Sequence, residues 1–290
     1  MKNRNYIIIG SSGGIGSQLC TDLTNCKSNL LLGYHENMPS EEFSDLKSMH
    51  VDATSFDSVM KLIQYGIEIF GNIDGVVSLP GSIILKPPHF IKESDFDEAI
   101  NINLKSAFGV LRAAGKVLSN SSIVMMSTAV TRIGLSNHEM IVATKAGIES
   151  MVKSASVTYA RKGLRFNAIA PGLVDTPLSA RIVSNPAALE MSKKMHIRDR
   201  IGSANDISNM IQFLLNPEND WITGQTFFID GGLGGLLLFF IAGGGLGGLL
   251  LFFIAGGNDV GTNGGLGRLL LLLFIAGGTD AGGAGGAGGL

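Results

Sequence analysis

Residues 6–16, YIIIGSSGGIG, set a short apolar run directly against a glycine-rich loop, Gly10-Ser11-Ser12-Gly13-Gly14-Ile15-Gly16, and the loop opens a helical pattern. Glycines let the backbone turn tightly and let a phosphate approach it. The helix behind them offers unpaired N–H groups and the positive end of its dipole. Strand, glycine loop and helix in this order predict a dinucleotide-binding unit.

The alternation continues along the chain. Apolar or β-branched runs predict strands at residues 6–9, 29–32, 49–51, 75–79, 123–126, 164–169 and 226–229. Helical patterns fall between them, at 14–23, 95–118, 138–159, 177–195 and 204–215. A further helix follows Ser55, a residue suited to cap it, and carries Val59, Leu62, Ile63 and Ile67 on one face as far as Gly71. Pro80, Gly81, Pro87 and Pro88 make the segment after the fourth strand an irregular loop. The expected fold is α/β, a Rossmann-type doubly wound parallel sheet with ligands at the carboxyl ends of its strands.

The 290 residues, 45% hydrophobic and 16% charged, suffice for a large core, and a net charge of −2 gives no surface suited to nucleic acid. Cys20 and Cys26 are too few and too close for a disulfide framework or a metal site, and they fit a reducing, cytoplasmic setting. The start, MKNRNYIIIG, lacks the long apolar stretch of a signal peptide. Composition changes sharply near Gly232. Residues 1–232 read as a globular domain, whereas 233–290 are a repetitive Gly/Leu/Phe-rich tail, expected to have no function of its own. Uncharged residues 233–255 are long enough to span a bilayer, and membrane attachment through them is the alternative.

The glycine loop and the segments below resemble the short-chain dehydrogenase/reductase family. Its TGxxxGxG motif is matched at Gly10, Gly14 and Gly16, with Ser12 and Ile15 inside the loop. Asp52 falls where the family keeps an aspartate near the adenine. The segment NAIAPGLVDTP, with Asn167, Pro171, Gly172, Val174 and Thr176, matches the stretch that lies against the nicotinamide, and TGQTFFIDGG is similar to the usual family ending. The resemblance implies NADP(H) or NAD(H) as cofactor. An acid at the end of the second strand would select NAD. Gly33-Tyr34-His35 stands there instead, which favours NADP(H) with His35 as a candidate phosphate contact.

The resemblance also assigns the chemistry, a hydride transfer between nicotinamide and a small carbonyl or alcohol substrate. Asn103 and Lys145 match the family's asparagine and lysine, which implies that Asn103 supports a proton relay and Lys145 holds the cofactor ribose, and Thr128 falls on the serine position with Ser127 beside it. Either hydroxyl can donate to the substrate oxygen. The tyrosine position is Ile141, which has no proton to give, and none of Tyr6, Tyr34, Tyr65 and Tyr159 is an obvious replacement. His138, about two helical turns before Lys145, is the candidate acid/base; the competing reading makes it a helix-start residue capped by Asn137. Two functions stay open at this point, an oxidoreductase and a dinucleotide-binding protein that senses or assembles without turnover. Apolar residues among charges at 177–200 suggest a lid over a partly hydrophobic substrate. Pairing of the 95–118 and 138–159 helices, as in the family, implies a homodimer or homotetramer.

Overall fold

Every residue of β1 (Asn5–Ile9) is buried. Its side chains divide between two cores, Ile7 and Ile9 on one face, Tyr6 and Ile8 on the other. Successive side chains of a strand point to opposite faces, so a run apolar throughout needs cover on both. The computed structural model, which describes residues 1–233, supplies that cover with helices on each side.

The strands β1, β2 (Asn29–Tyr34), β3 (Lys47–His50), β4 (Gly75–Ser78), β5 (Ser122–Met126), β6 (Arg165–Pro171) and β7 (Thr226–Ile229) form one seven-stranded sheet in the order β3-β2-β1-β4-β5-β6-β7. Every pairing is parallel. Helices α1 (Gly14–Asn25) and α8 (Ala204–Leu215) cover the Tyr6/Ile8 face through Leu19, Leu23, Ile207 and Ile211. Helices α2 (Phe56–Phe70), α4 (Ser106–Val117) and α5 (Glu139–Thr158) cover the other through Leu62, Val110 and Val152. Chain order reverses between β1 and β4, and the crevice outside the carboxyl ends of these strands is where such sheets bind ligands. A cavity of about 550 Å3 lies at the opposite, amino-terminal rim, lined by Arg4, Asp74, Arg165 and Trp221 among others, away from that crevice.

The predicted elements are present, with differences at several bounds. The third strand is residues 47–50 rather than 49–51, and the second runs on to Tyr34. The helix expected over 95–118 is broken into α3 (Glu93–Ala99), a wide π turn at Ile100–Lys105, and α4. The lid segment is likewise divided into α6 (Ala180–Val183) and α7 (Pro186–Met195), because Asn185 caps the second helix from outside and Pro186 sits at its first turn. Asn137 does not cap α5; it has a positive φ of 65°, and His138 occupies the cap position without a capping bond. Ser55 does cap α2, its hydroxyl accepting from the Ser58 N–H at 3.3 Å. No helix of the described residues is long and apolar enough to cross a membrane. The readings of the tail, inert or membrane-attached, fall outside the described residues beyond Leu233.

Candidate active site

The glycine loop folds back on itself at the carboxyl end of β1. Gly10 has φ +85°, and a side chain on Gly16 would collide with the Gly10 carbonyl and stand 2.9 Å from Ser11 Cα. Only glycine fits such an approach. Helix α1 begins without a side-chain cap and without an acid in its first turn, so its N–H groups and dipole face the crevice unneutralised. Ser11 is the serine that builds the loop, donating through N and Oγ to Gly33 O, both at 3.1 Å; Ser12 is half-buried in it. Ile15 is partly buried and packs on the α1/α8 core.

Other predicted residues close around this loop. A Cβ on Gly14 would stand 2.9 Å from Thr176 Cγ2, which brings the segment after β6 against the glycine loop. Thr176 caps the turn that follows, its N–H donating to Ser179 Oγ at 3.1 Å. Val174 is buried and bridges Gly202. Pro171 ends β6, and Gly172 donates to Ile229 O at 3.2 Å. Asn167 belongs to the sheet instead: it is fully buried, with its amide donating to Ile222 O and accepting from the Gln225 N–H.

Asn103 and Lys145 meet across Gly81, whose Cβ would lie 3.4 Å from Asn103 Oδ1 and 3.6 Å from Lys145 Nζ. Asn103, inside the π turn, accepts from the Ser82 N–H at 3.1 Å and donates to Ser82 O and Oγ. It therefore fixes the loop after β4. Lys145 is 6% exposed and donates to Met126 O at 3.0 Å. Burial pushes its ammonium down to about 8, since the charged form loses water without gaining a counter-ion.

The hydroxyl pair separates clearly. Ser127 turns into the protein and donates to Glu149 Oε1 at 2.5 Å, with Lys145 O at 3.3 Å. Thr128, in extended conformation and half-buried, makes no side-chain hydrogen bond to another described residue. Ile141, at the position where the resemblance leads one to expect a tyrosine, is buried. His138 Nδ1 is engaged by Ser136 O at 2.8 Å, and no hydrogen bond joins it to Thr128, Lys145 or Asn103 among the described residues. The tyrosines lie elsewhere: Tyr6 in the sheet core with its phenol pushed up to about 12 by burial, Tyr34 edge-on to His50, Tyr65 on α2, and Tyr159 against Phe166 beyond the end of α5.

At the far end of the crevice His35 lies 5.4 Å from His50, ring to ring, both exposed. Asp52 accepts from Thr54 Oγ1 at 2.7 Å and Thr54 N at 2.9 Å, bonds that hold its carboxyl below the usual range with help from nearby His35. Two contributors escaped sequence reasoning. Glu149 reads as one more charge on a helix. His196, 3% exposed, accepts from the Leu173 N–H at 3.3 Å and pairs through Nδ1 with Ser192 O at 2.6 Å; no motif marks it, although Gly172, which leaves room for its ring, does.

A family model described as enoyl-(acyl carrier protein) reductase matches residues 10–234. The chain is 27% identical over 248 residues to hydroxynaphthalene reductase-like protein Arp2 of Metarhizium anisopliae, covering 78% of this chain and 93% of that protein. It is 26% identical over 246 residues to 3-oxoacyl-[acyl-carrier-protein] reductase FabG of Staphylococcus aureus, covering 79% and 98%. The solved structure of ElxO with NADP bound superposes with a TM-score of 0.72 at 26% identity, over 81% of this chain and 100% of that one.

Proposed function

The chain belongs to the short-chain dehydrogenase/reductase family of NAD(P)-dependent oxidoreductases, and from that premise we propose that it interconverts a small carbonyl compound and its alcohol with NADP(H), using Thr128, Lys145 and Asn103. The observation that carries this reading is the meeting of Lys145 and Asn103 at Gly81, with Thr128 just past the end of β5 carrying a hydroxyl not engaged by another described residue. The uncapped start of α1 and the close turn at Gly16 suit a pyrophosphate. When bound, the nicotinamide supplies or accepts the hydride.

The protein's own groups manage the oxygen and its proton. Thr128 donates a hydrogen bond to the substrate oxygen, where negative charge develops during reduction. Asn103 holds Gly81 and Ser82 in place beside Lys145. His138 and Lys145 are the two groups weighed as proton source. Lys145 is favoured, because it lies beside Asn103 at Gly81 and burial brings its ammonium down to about 8, nearer the working range of an efficient acid/base. His50 joins His35 as a contact for a 2′-phosphate, a reading supported by their adjacent rings and by the engagement of Asp52 with Thr54. Half-exposed Phe96 and Phe108 on α3 and α4 support pairing into a homodimer, and two free thiols support a cytoplasmic setting.

The test is turnover. The full chain is assayed with NADPH and with NADH against aldehydes, ketones and alcohols, beside Lys145→Ala. NADPH-dependent turnover lost in the variant is expected. Tight cofactor binding with no turnover across the panel would leave a binding protein and sink the catalytic assignment.

A further inference from the structure

The residues on either side of Thr128 are tied to one carboxylate oxygen. Ser127 Oγ donates to Glu149 Oε1 at 2.5 Å, and Thr131 Oγ1 reaches the same oxygen at 2.7 Å. Thr131 Oγ1 also lies 2.9 Å from Thr128 O. Each hydroxyl has one proton, and the shorter approach to an ionised acceptor is the stronger bond, so the carboxylate takes both. Among the described residues Glu149 forms no ion pair, although it is half-buried. Its partners are these two hydroxyls.

The placement links them to the lysine. Glu149 lies four residues after Lys145 on α5, so the two share a helix face. Lys145 Nζ ties that face to Met126 O, and Ser127 Oγ approaches Lys145 O at 3.3 Å. The end of β5, the short turn Ala129–Thr131 and the Lys145 turn of α5 are thereby cross-braced around Thr128. Engaging the Ser127 proton also leaves Thr128 as the hydroxyl of the pair with a free donor.

Resting on the reading of Thr128 as the substrate-oxygen donor, we infer that Glu149 is a positioning residue: it clamps Ser127 and Thr131 so that the Thr128 hydroxyl is held in register with Lys145. Nothing in the reaction requires Glu149 to touch substrate. It acts through the two hydroxyls.

The test compares full-length wild type, Glu149→Gln and Glu149→Ala. Glutamine keeps an oxygen acceptor at the same reach; alanine removes it. Threonine methyl groups are 13C-labelled and the Thr128 signal is assigned with Thr128→Ser. In Glu149→Ala the Thr128 methyl signal is expected to shift or broaden, and kcat to fall by about 100-fold, the loss that a misplacement of about 1 Å produces. The Kd for NADPH stays unchanged, and Glu149→Gln restores both signal and rate. An unmoved Thr128 signal in a folded Glu149→Ala protein overturns the inference, whatever the enzyme turns over. A moved signal with wild-type kcat overturns it too, leaving the oxidoreductase intact. If the wild-type chain binds NADPH and turns over nothing, the functional reading fails instead, and the methyl comparison alone decides whether Glu149 orders Thr128.

Discussion

Lys145 Nζ donates to the carbonyl oxygen of Met126 at 3.0 Å, the residue is only 6% exposed, and among the described residues no carboxylate pairs with it. A buried ammonium with one neutral acceptor is costly to fold. Its value in the folded chain is about 8 against an ordinary 10.5. Below about 8 both folded and unfolded chains carry the proton and the folded state bears the full cost. As pH climbs from 8 to 10.5 the folded state releases its proton first, and stability rises with pH across that window. Lys145→Met is therefore expected to be more stable than wild type at pH 7, by on the order of 3 kcal/mol, while losing activity. The difference should shrink toward pH 10.5. Urea unfolding at the two pH values measures it, and a variant less stable at pH 7 contradicts the account.

The same ionisation would govern the rate of the proposed reaction. If Lys145 delivers the proton, kcat for carbonyl reduction falls as pH rises through about 8, because the ammonium is the reactive form. Alcohol oxidation, which needs the amine, shows the opposite limb. His138→Ala should leave both limbs in place, since the His138 ring has no hydrogen bond to the site. Disappearance of the limbs in that variant would return the acid/base role to His138.

Ile141→Tyr tests the vacant hydroxyl position directly. A general acid is worth roughly 100-fold or more in rate, and Ile141 stands one turn before Lys145 on α5. With Lys145 already delivering a proton in the proposed reaction, the variant should raise kcat by less than that full factor and leave the Kd for NADPH near that of wild type. A folded variant with unchanged kcat would mean that proton transfer does not limit turnover. Position 141 is buried, so thermal unfolding of the variant is measured alongside.

Much of this is legible in the amino-acid sequence. The apolar runs of β1, β2 and β5 announce strands covered on both faces, and α8 and β7 appear at the bounds read from the sequence. The glycine loop is legible because only backbone can occupy the space around Gly16. The π turn at Ile100–Lys105 is not, because Ile100, Leu104, Phe108 and Leu111 keep an unbroken helical rhythm across one widened turn. The break at Ser184-Asn185 carried a signal, Asn185 before Pro186, that the apolar pattern outweighed. The choice between Ser127 and Thr128 needed coordinates, since adjacent residues at a strand end point to opposite sides and only Glu149 shows which side is spoken for.

His196 carries a further expectation. Its Nε2 accepts the Leu173 N–H beside Gly172, and Nδ1 is tied to Ser192 O at the end of α7, so one ring joins the lid helix to the segment after β6. His196→Leu keeps bulk and removes both bonds. Leaving the partly buried Leu173 N–H unpaired costs up to about 1–3 kcal/mol of stability. If the segment after β6 holds the nicotinamide, the Kd for NADPH should rise while that for 2′-phospho-ADP-ribose, which lacks the nicotinamide, stays fixed. Equal weakening of both ligands would place the defect elsewhere.

Cofactor choice rests on the other end of the crevice. His35 and His50 lie 5.4 Å apart at the ends of β2 and β3, and no acid stands at the end of β2 to bind a ribose 2′-OH. Asp52 stands two residues after His50, but its Oδ1 accepts both the N–H and the hydroxyl of Thr54, which bends the chain into α2. A hydrogen bond to a charged phosphate is worth about 1.5 kcal/mol or more, close to a factor of about ten in affinity. His35→Ala is thus expected to raise the Kd for NADPH by about tenfold and to leave that for NADH unchanged, as read by cofactor fluorescence titration. His50→Ala should act in the same direction. Equal Kd values for NADPH before and after both substitutions, with NADH bound tighter than NADPH, would assign the site to NAD(H) and place Asp52 rather than the histidines at the ribose.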